Sequence, residues 1–225
     1  MYGAGDGGRA GWPVQAAEVD AQDWTFLDRL PPSEDEPVPY DEPERDAQRI
    51  VDALGTGSHL VAHSGGAVPA LLAAARAPGS VRSLTLFEPA CLSVARGRPA
   101  VDGMVAAMAP VFARAGDPGL SDVEFTHQFM LAMGTPGADP SDSETEVVGR
   151  RLRLMTPPWE TPLPAATAGE VPTLVVTGAW NAAFDEIAEV FVEAGAHHVV
   201  VPGSGHGPQY HPDGHAAMVD FQRGA

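Results

Sequence analysis

The sequence contains no lysine, because all 13 of its basic residues are arginines. This absence excludes a lysine Schiff base, a P-loop lysine and a Ser-Lys catalytic dyad. Cys91 is the single cysteine, which excludes a disulfide framework and any CxxC metal or redox motif. No apolar run approaches the roughly 18 residues of a transmembrane helix, and the basic and apolar regions of a signal peptide are missing. We therefore expect a soluble, cytoplasmic protein.

The charge balance is strongly acidic, with 30 acidic residues against 13 basic ones and a net charge of −17. Such a surface argues against nucleic acid and anionic membranes as partners. We expect a small-molecule substrate, and the sequence leaves a homodimer open. The length of 225 residues suits a single α/β unit, and 44% hydrophobic residues are enough to bury a sizeable core.

After residue 40, helix-like and strand-like segments alternate, as is typical of a parallel α/β sheet. The predicted strands cover residues 24–27, 58–61, 81–87, 172–177 and 198–201. One predicted helix begins at Asp41 to Glu44, and the others cover residues 65–77, 183–194 and 213–223. The pattern predicts an α/β fold with helices on the faces of a mostly parallel sheet.

Residues 90–168 break this alternation. They contain helix-like pieces at 101–115, 124–133 and 147–155, separated by loops rich in Pro, Gly and Asp. Because the segment is too long for a connection between two strands, we interpret it as a helical cap inserted into a core of residues 1–89 and 169–225. Its methionines recur at helical spacings, at Met104, Met108, Met130, Met133 and Met155. We expect most of them to serve core packing and the rest to form an adaptable pocket lining.

The stretch "LVAHSGGAV", residues 60–68, is a buried-looking strand that ends in a serine followed by two glycines. A strand, a serine with small neighbours and an alanine-rich helix form the pattern of a nucleophile elbow. Ala62 and Gly66 leave room for the tight turn, and the N–H group of Gly65 is free to face an oxyanion. The alternative is an ordinary glycine-rich turn, which also occurs in nucleotide-binding folds.

A second motif, "VVPGSGHGPQYHP", places His206 in a glycine-rich loop after the last predicted strand. The order of serine first and histidine last, together with "SLTLFEPA" and "PTLVVTGAW", resembles the α/β-hydrolase superfamily over nearly the whole chain. "YGAGDGG" at residues 2–8 is similar to the family's His-Gly oxyanion loop, with Tyr2 where histidine is common.

The resemblance implies a cofactor-free serine hydrolase that works through an acyl-enzyme. Ser64 would be the nucleophile, His206 the base, and the backbone N–H groups of Gly65 and Ala4 the oxyanion donors. Esters, thioesters, lactones and amides fit this chemistry, whereas a dehalogenase or epoxide hydrolase would carry an aspartate at the elbow. The substrate-binding candidates are Met104, Met108, Met130 and Trp159.

The sequence departs from the family pattern at the catalytic acid. The usual position, after the strand of "PTLVVTG", holds Asn181, which can orient an imidazole but cannot stabilise an imidazolium; in serine proteases the equivalent exchange costs about 10⁴-fold in rate. Glu88 ends the strand that follows the elbow helix, where some family members carry the acid. We favour Glu88, then Asn181 as an orienting residue, then Asp185.

The second departure lies at the start of the chain, since a strand normally precedes the oxyanion loop and only Met1 precedes Tyr2. We expect shortened N-terminal strands, and the loss of a strand there would leave a gap beside the elbow strand. Either the start of the sequence is placed too late, or the fold compensates for the missing strand. Two alternatives to hydrolysis stay open: a catalytically impaired ligand-binding protein, and a cofactor-free lyase or cyclase that uses the same serine and histidine. The spacing of the other histidines fits no metal site, and we interpret His63 as structural.

Overall fold

The computed structural model describes residues 8–17, 23–28, 42–139 and 143–225. Its sheet has four parallel strands in the spatial order β1-β2-β3-β4. They are formed by Ser58–His63, Val81–Phe87, Thr173–Thr177 and His197–Val200. Each was predicted within two residues at either end, because a buried parallel strand is a short β-branched run bounded by turn residues. The parallel α/β fold class is confirmed.

The described helices are α1 (Pro13–Ala16), α2 (Glu42–Ala53), α3 (Ala67–Arg76), α4 (Pro99–Phe112), α5 (Asp122–Ala132), α6 (Ser143–Leu154), α7 (Thr167–Glu170), α8 (Ala182–Glu193) and α9 (Pro212–Gly224). Helix α3 follows the elbow and is buried from Ala67 to Ala74. Its alanines let the helix lie close to the sheet, so that its first turn is fixed directly behind the end of β1.

Alternate residues of the strands face opposite layers of helices. Leu60 and its register partner Leu84 belong to the larger hydrophobic cluster, which includes residues of α2, α3 and α8. Val61 and Phe87 point the other way, into a smaller cluster with Met218 of α9. This period of two is what a strand buried on both faces requires, and it places helices on both sides of the sheet.

The described residues between β2 and β3 contain α4, α5, α6 and α7 but no strand. The start of α4 is held on α8, because the carboxylate of Glu186 accepts from the N–H groups of Ala100 at 3.1 Å and Val101 at 2.9 Å. Arg98 adds ion pairs to Glu189 and Glu193 at 2.7 and 2.6 Å. A carboxylate at a helix N-terminus satisfies free N–H groups and complements the helix dipole, so the insertion is anchored beside the sheet.

The strand predicted over residues 24–27 is wrong, because residues 23–28 form no strand. Instead Trp24 and Phe26 stack at 6.2 Å and pack against the cluster around Val61 and Phe87.

Within the described ranges, β2 is the single strand paired with β1. Beside β1 lies a cavity of about 460 Å³ whose lining includes residues 23–27 and 57–61. The first seven residues lie outside the described ranges, so the gap that a missing N-terminal strand would leave stays a prediction. None of the helices in those ranges combines the length and apolar character needed to cross a membrane.

Candidate active site

Ser64 is the first residue after β1 and has a φ angle of 52°. A non-glycine residue in this left-handed region stores strain, which is typical of functional turns. Ser64–Gly66 forms one turn of 3-10 helix, with Gly65 and Gly66 buried, and α3 begins at Ala67. The carbonyl of Ser64 accepts from the N–H of Ala90 at 3.1 Å. The predicted elbow geometry is therefore present at this serine.

His206 lies in the loop between β4 and α9, and its Nε2 is 3.0 Å from Ser64 Oγ. The loop reaches the serine by packing backbone against backbone, since a Cβ atom at Gly178 would collide with the carbonyl oxygen of Gly205. The rings of Phe184 and Trp180 lie 5.1 and 5.4 Å from the imidazole. The imidazole thus packs against two aromatic rings and has one nitrogen toward the serine.

Glu88 is the first residue after β2, has a φ angle of 44° and is fully buried. Its Oε2 lies 3.4 Å from His206 Nδ1, on the side of the ring opposite the serine. The N–H of Gly178 donates to Oε1 at 2.5 Å and the indole N–H of Trp180 donates to Oε2 at 2.8 Å. A buried carboxylate needs such donors, and these direct it at the histidine.

Asn181 does not reach the histidine, which contradicts the orienting role predicted for it. Its Oδ1 accepts from the N–H of Ala183 at 3.0 Å, so that it caps α8, and its Nδ2 donates to the carbonyl of Met133 at 2.9 Å. Both ends of the side chain are therefore occupied in tying α8 to the inserted helices. Asp185, the third candidate, lies in the first turn of α8, where its charge acts on His198.

His63, the last residue of β1, contacts the loop that carries His206. Its Nε2 lies 2.7 Å from the carbonyl oxygen of His206, to which a protonated Nε2 donates, and the two rings are 4.8 Å apart. Burial, and next the charge of His206, lower the pKa of His63 well below its usual value. His63 therefore stays neutral and supports the backbone of the histidine loop.

A small cavity of about 30 Å³ opens at Ser64. Ser64 carries the one polar side chain among the described residues that line it: Ser64, Gly65, Ala90, Leu92, Met104, Met108, Phe112, Phe129, Met133, Leu152, Met155, Pro158 and Phe184. Since a single water needs roughly 10–15 Å³ of such space, only about two waters fit. A larger molecule enters only if these side chains move.

The structure brings Met104 and Met108 to the cavity, but not Met130 or Trp159. Met130 is half-buried outside the lining, and the Trp159 ring packs edge-on against Phe112 at 5.2 Å, one layer behind the cavity wall. Their substrate-binding role therefore has no support at this cavity and stays a prediction. For Met130, helical spacing does not reveal which face of a helix meets the sheet; for Trp159, the packing fits the alternative that this residue anchors a loop. The phenylalanines of the lining and Trp180 were missed, and no local signal marks them.

Ala4 and Tyr2 lie outside the described residues. The remaining histidines are dispersed: His198 bonds Thr177 at 2.9 Å, His211 caps α9, and His215 lies 3.3 Å from Gln15. In the described part of the chain, no group of three or more His, Cys, Asp or Glu side chains could hold a metal ion.

The sequence model of the Alpha/beta hydrolase family matches residues 3–218. Among similar solved structures, Rv0554 of Mycobacterium tuberculosis has 18% identity and a TM-score of 0.64, with 100% of this chain and 89% of that chain covered. A structure published with carboxylesterases of the thaumarchaeon Nitrososphaera gargenis has 12% identity and a TM-score of 0.68, covering 100% and 90%. The 2-hydroxy-6-oxo-6-phenylhexa-2,4-dienoate hydrolase of Rhodococcus sp. strain RHA1 has 17% identity and a TM-score of 0.65, covering 100% and 89%. No curated protein sequence matches significantly.

Proposed function

Because the chain belongs to the alpha/beta hydrolase family, we propose that it is a serine hydrolase that cleaves a small or medium carboxylic ester, thioester or lactone. The observation that carries this proposal is a row of three side chains: a serine after β1, a histidine in the loop after β4, and a glutamate after β2. Ser64 Oγ lies 3.0 Å from one nitrogen of His206, and Glu88 Oε2 lies 3.4 Å from the other.

In the proposed reaction, Ser64 Oγ attacks the carbonyl carbon of the substrate while His206 Nε2 takes the hydroxyl proton. The N–H of Gly65 donates to the developing oxyanion, and we propose Ala4 as the second donor. The bond to the leaving group then breaks as His206 gives it the proton. His206 then takes a proton from water, whose oxygen attacks the acyl carbon on Ser64. The bond from that carbon to Ser64 Oγ breaks, His206 returns the proton to Oγ, and the acid is released.

Glu88 supplies the charge that this cycle needs. An imidazolium forms on His206 in each half-reaction, and a fully buried carboxylate at Nδ1 stabilises it more than a solvated one would. Because the donors from Gly178 and Trp180 hold the carboxylate, no reorganisation is required at the moment of proton transfer.

The cavity at Ser64 favours an uncharged, apolar acyl group. A charged acyl chain would find no partner in a lining whose one polar side chain is the serine itself. The lining includes Met104, Met108, Met133 and Met155, whose flexible side chains can move apart to admit a chain larger than the roughly two waters that fit now.

The alternative of an impaired binding protein depended on two features: Asn181 at the usual position of the acid, and the shortened start of the chain, which lies outside the described residues. Since Glu88 lies within reach of His206 while Asn181 caps α8, the geometry favours turnover. For a lyase or cyclase, no contact among the described residues offers specific support.

The test is hydrolysis of p-nitrophenyl esters with acyl chains of two to eight carbons, by the native chain and by Ser64→Ala. We expect saturable hydrolysis that falls by at least about 10³-fold in the variant, whose circular dichroism stays native because only a hydroxyl is removed. Equal rates for the two proteins would refute the proposal.

A further inference from the structure

Trp180 contacts His206, Glu88 and the cavity-lining Phe184, but it does not itself line the cavity. Its ring stacks on Phe184 at 5.6 Å with an interplanar angle of 29°, and its edge faces the His206 ring at 5.4 Å and 65°. Its indole N–H donates to Glu88 Oε2 at 2.8 Å. Trp180 is not among the residues that line the cavity, so its contacts are with the catalytic groups and the ring beside them.

The oxygen that accepts from Trp180 is the same one that faces His206. Glu88 Oε1 is held by the N–H of Gly178 at 2.5 Å, and Oε2 lies 2.8 Å from the indole nitrogen and 3.4 Å from His206 Nδ1. Two fixed donors, one on each oxygen, determine the rotation of the carboxylate about its last bond. Without the indole N–H, His206 would be the one hydrogen-bond partner left to Oε2 among the residues that the structure describes.

We propose that Trp180 is a positioning residue, whose indole N–H fixes Glu88 Oε2 opposite His206 Nδ1 and so sets the reactivity of Ser64. The inference rests on the proposed function. The acid, Glu88, follows β2, whereas Trp180, which directs it, follows β3 and immediately precedes Asn181. Supporting groups of this kind typically change rates through the residues they orient.

The experiment measures how fast a fluorophosphonate labels Ser64. In this reaction the bond from Ser64 Oγ to phosphorus forms, the phosphorus–fluorine bond breaks, fluoride leaves, and His206 takes the hydroxyl proton. We expect Trp180→Phe, which keeps a stacked ring but loses the N–H, to lower the maximal labelling rate about tenfold. The probe concentration at half-saturation should stay within about twofold, because Trp180 is not among the residues that line the cavity at Ser64.

Trp24→Phe is the matched control, since Trp24 is also half-buried and stacks on a phenylalanine, Phe26, away from the site. It should leave the labelling rate within about twofold of the native rate. A tenfold loss in this control as well would show that losing any such tryptophan loosens the protein, and would overturn the inference.

A second comparison shows whether Trp180 acts through Glu88. In a Glu88→Gln background the indole N–H of Trp180 has no carboxylate to orient. We therefore expect Trp180→Phe to slow labelling there by less than about a further twofold. A full tenfold effect there would overturn the inference. If Trp180→Phe does not fold, benzothienylalanine at position 180 replaces the N–H by sulfur with the ring size kept, and the same rates are expected.

The failure of the inference differs from the failure of the proposed function. A native chain that the probe labels at Ser64, with Trp180→Phe labelled equally fast, overturns the positioning role alone. A native chain that is not labelled at all overturns the proposed function and the inference with it.

Discussion

The carboxyl edge of the sheet and the inserted helices contribute to the site in opposite ways. The edge supplies its polar groups, which lie within hydrogen-bond distance of one another, whereas the insertion supplies apolar side chains around a cavity of about 30 Å³. The described non-glycine residues with positive φ angles are Ser64, Glu88 and Ala179, and each follows a strand, β1, β2 or β3, within two residues. Strain is therefore concentrated at the strand ends that carry the proposed catalytic groups, and adaptability where the substrate would bind.

This difference predicts that changes at the sheet edge alter rates, while changes in the insertion alter substrate preference and stability. The largest effect is expected for Glu88→Gln, which keeps the shape of the side chain but removes the charge that would stabilise an imidazolium. Ester hydrolysis should fall by about 10²–10⁴-fold in kcat with KM little changed. A loss under about threefold, measured by steady-state kinetics, would mean that Glu88 is only a structural carboxylate.

In the cavity, Met108→Ala should change selectivity more than rate. Met108 is 2% exposed, so the truncation leaves a void that costs about 2–5 kcal/mol in the free energy of unfolding. The same void should raise kcat/KM for octanoyl over butyryl esters by about tenfold. Met130→Ala is the control, because Met130 lies outside the lining; an equal change of preference in both variants would argue against this cavity as the acyl site.

Asn181→Asp changes a side chain that joins α8 to the inserted helices, and its effect on stability and rate should be smaller. The new carboxylate would still cap α8, but the donor to the Met133 carbonyl would be lost, at a cost of about 1 kcal/mol in stability. Because Asn181 does not face His206, the substitution should not restore activity to Glu88→Gln. Rescue by tenfold or more in the double variant would show that position 181 can supply the acid.

The smallest effect concerns pH. Burial lowers the pKa of His63 well below its usual value of 6.5. As the pH falls below that value, His63 becomes protonated in the unfolded chain but stays neutral in the folded chain. The free energy of unfolding should therefore be unaffected by His63 above about pH 6.5 and decrease as the pH falls below it. His59 and His198, whose pKa values burial also lowers, act in the same direction. Urea titrations between pH 5 and 8 should give a flatter profile for His63→Gln; an unchanged slope would exclude this origin.

The strands and the residues at their ends could be predicted from the sequence because short apolar runs and the turns after them are local patterns. Ser64 was a candidate for this reason, while Glu88 and His206 also depended on the resemblance to the family; the structure brings the three together. The helical content of residues 90–168 followed from the same local reasoning. Such patterns are encoded within about ten residues.

The remaining parts of the site depend on contacts between distant segments. The bond from Trp180 to Glu88 joins residues 92 positions apart, and which faces of α4, α5 and α6 line the cavity depends on how the helices pack together. Asn181 is a different case, because an asparagine directly before a helix is a strong N-cap signal. That local role competes with the catalytic one assigned from the family pattern, and in the structure the local role prevails.

The most direct test of the account is to identify the residue that a fluorophosphonate modifies in the native chain. We expect one adduct per chain on the peptide that contains Ser64, formed in the native chain, formed much more slowly in Glu88→Gln, and absent from Ser64→Ala. Modification of another residue, or persistent labelling of the alanine variant at the native rate, would contradict the assignment of Ser64, His206 and Glu88 as one catalytic unit.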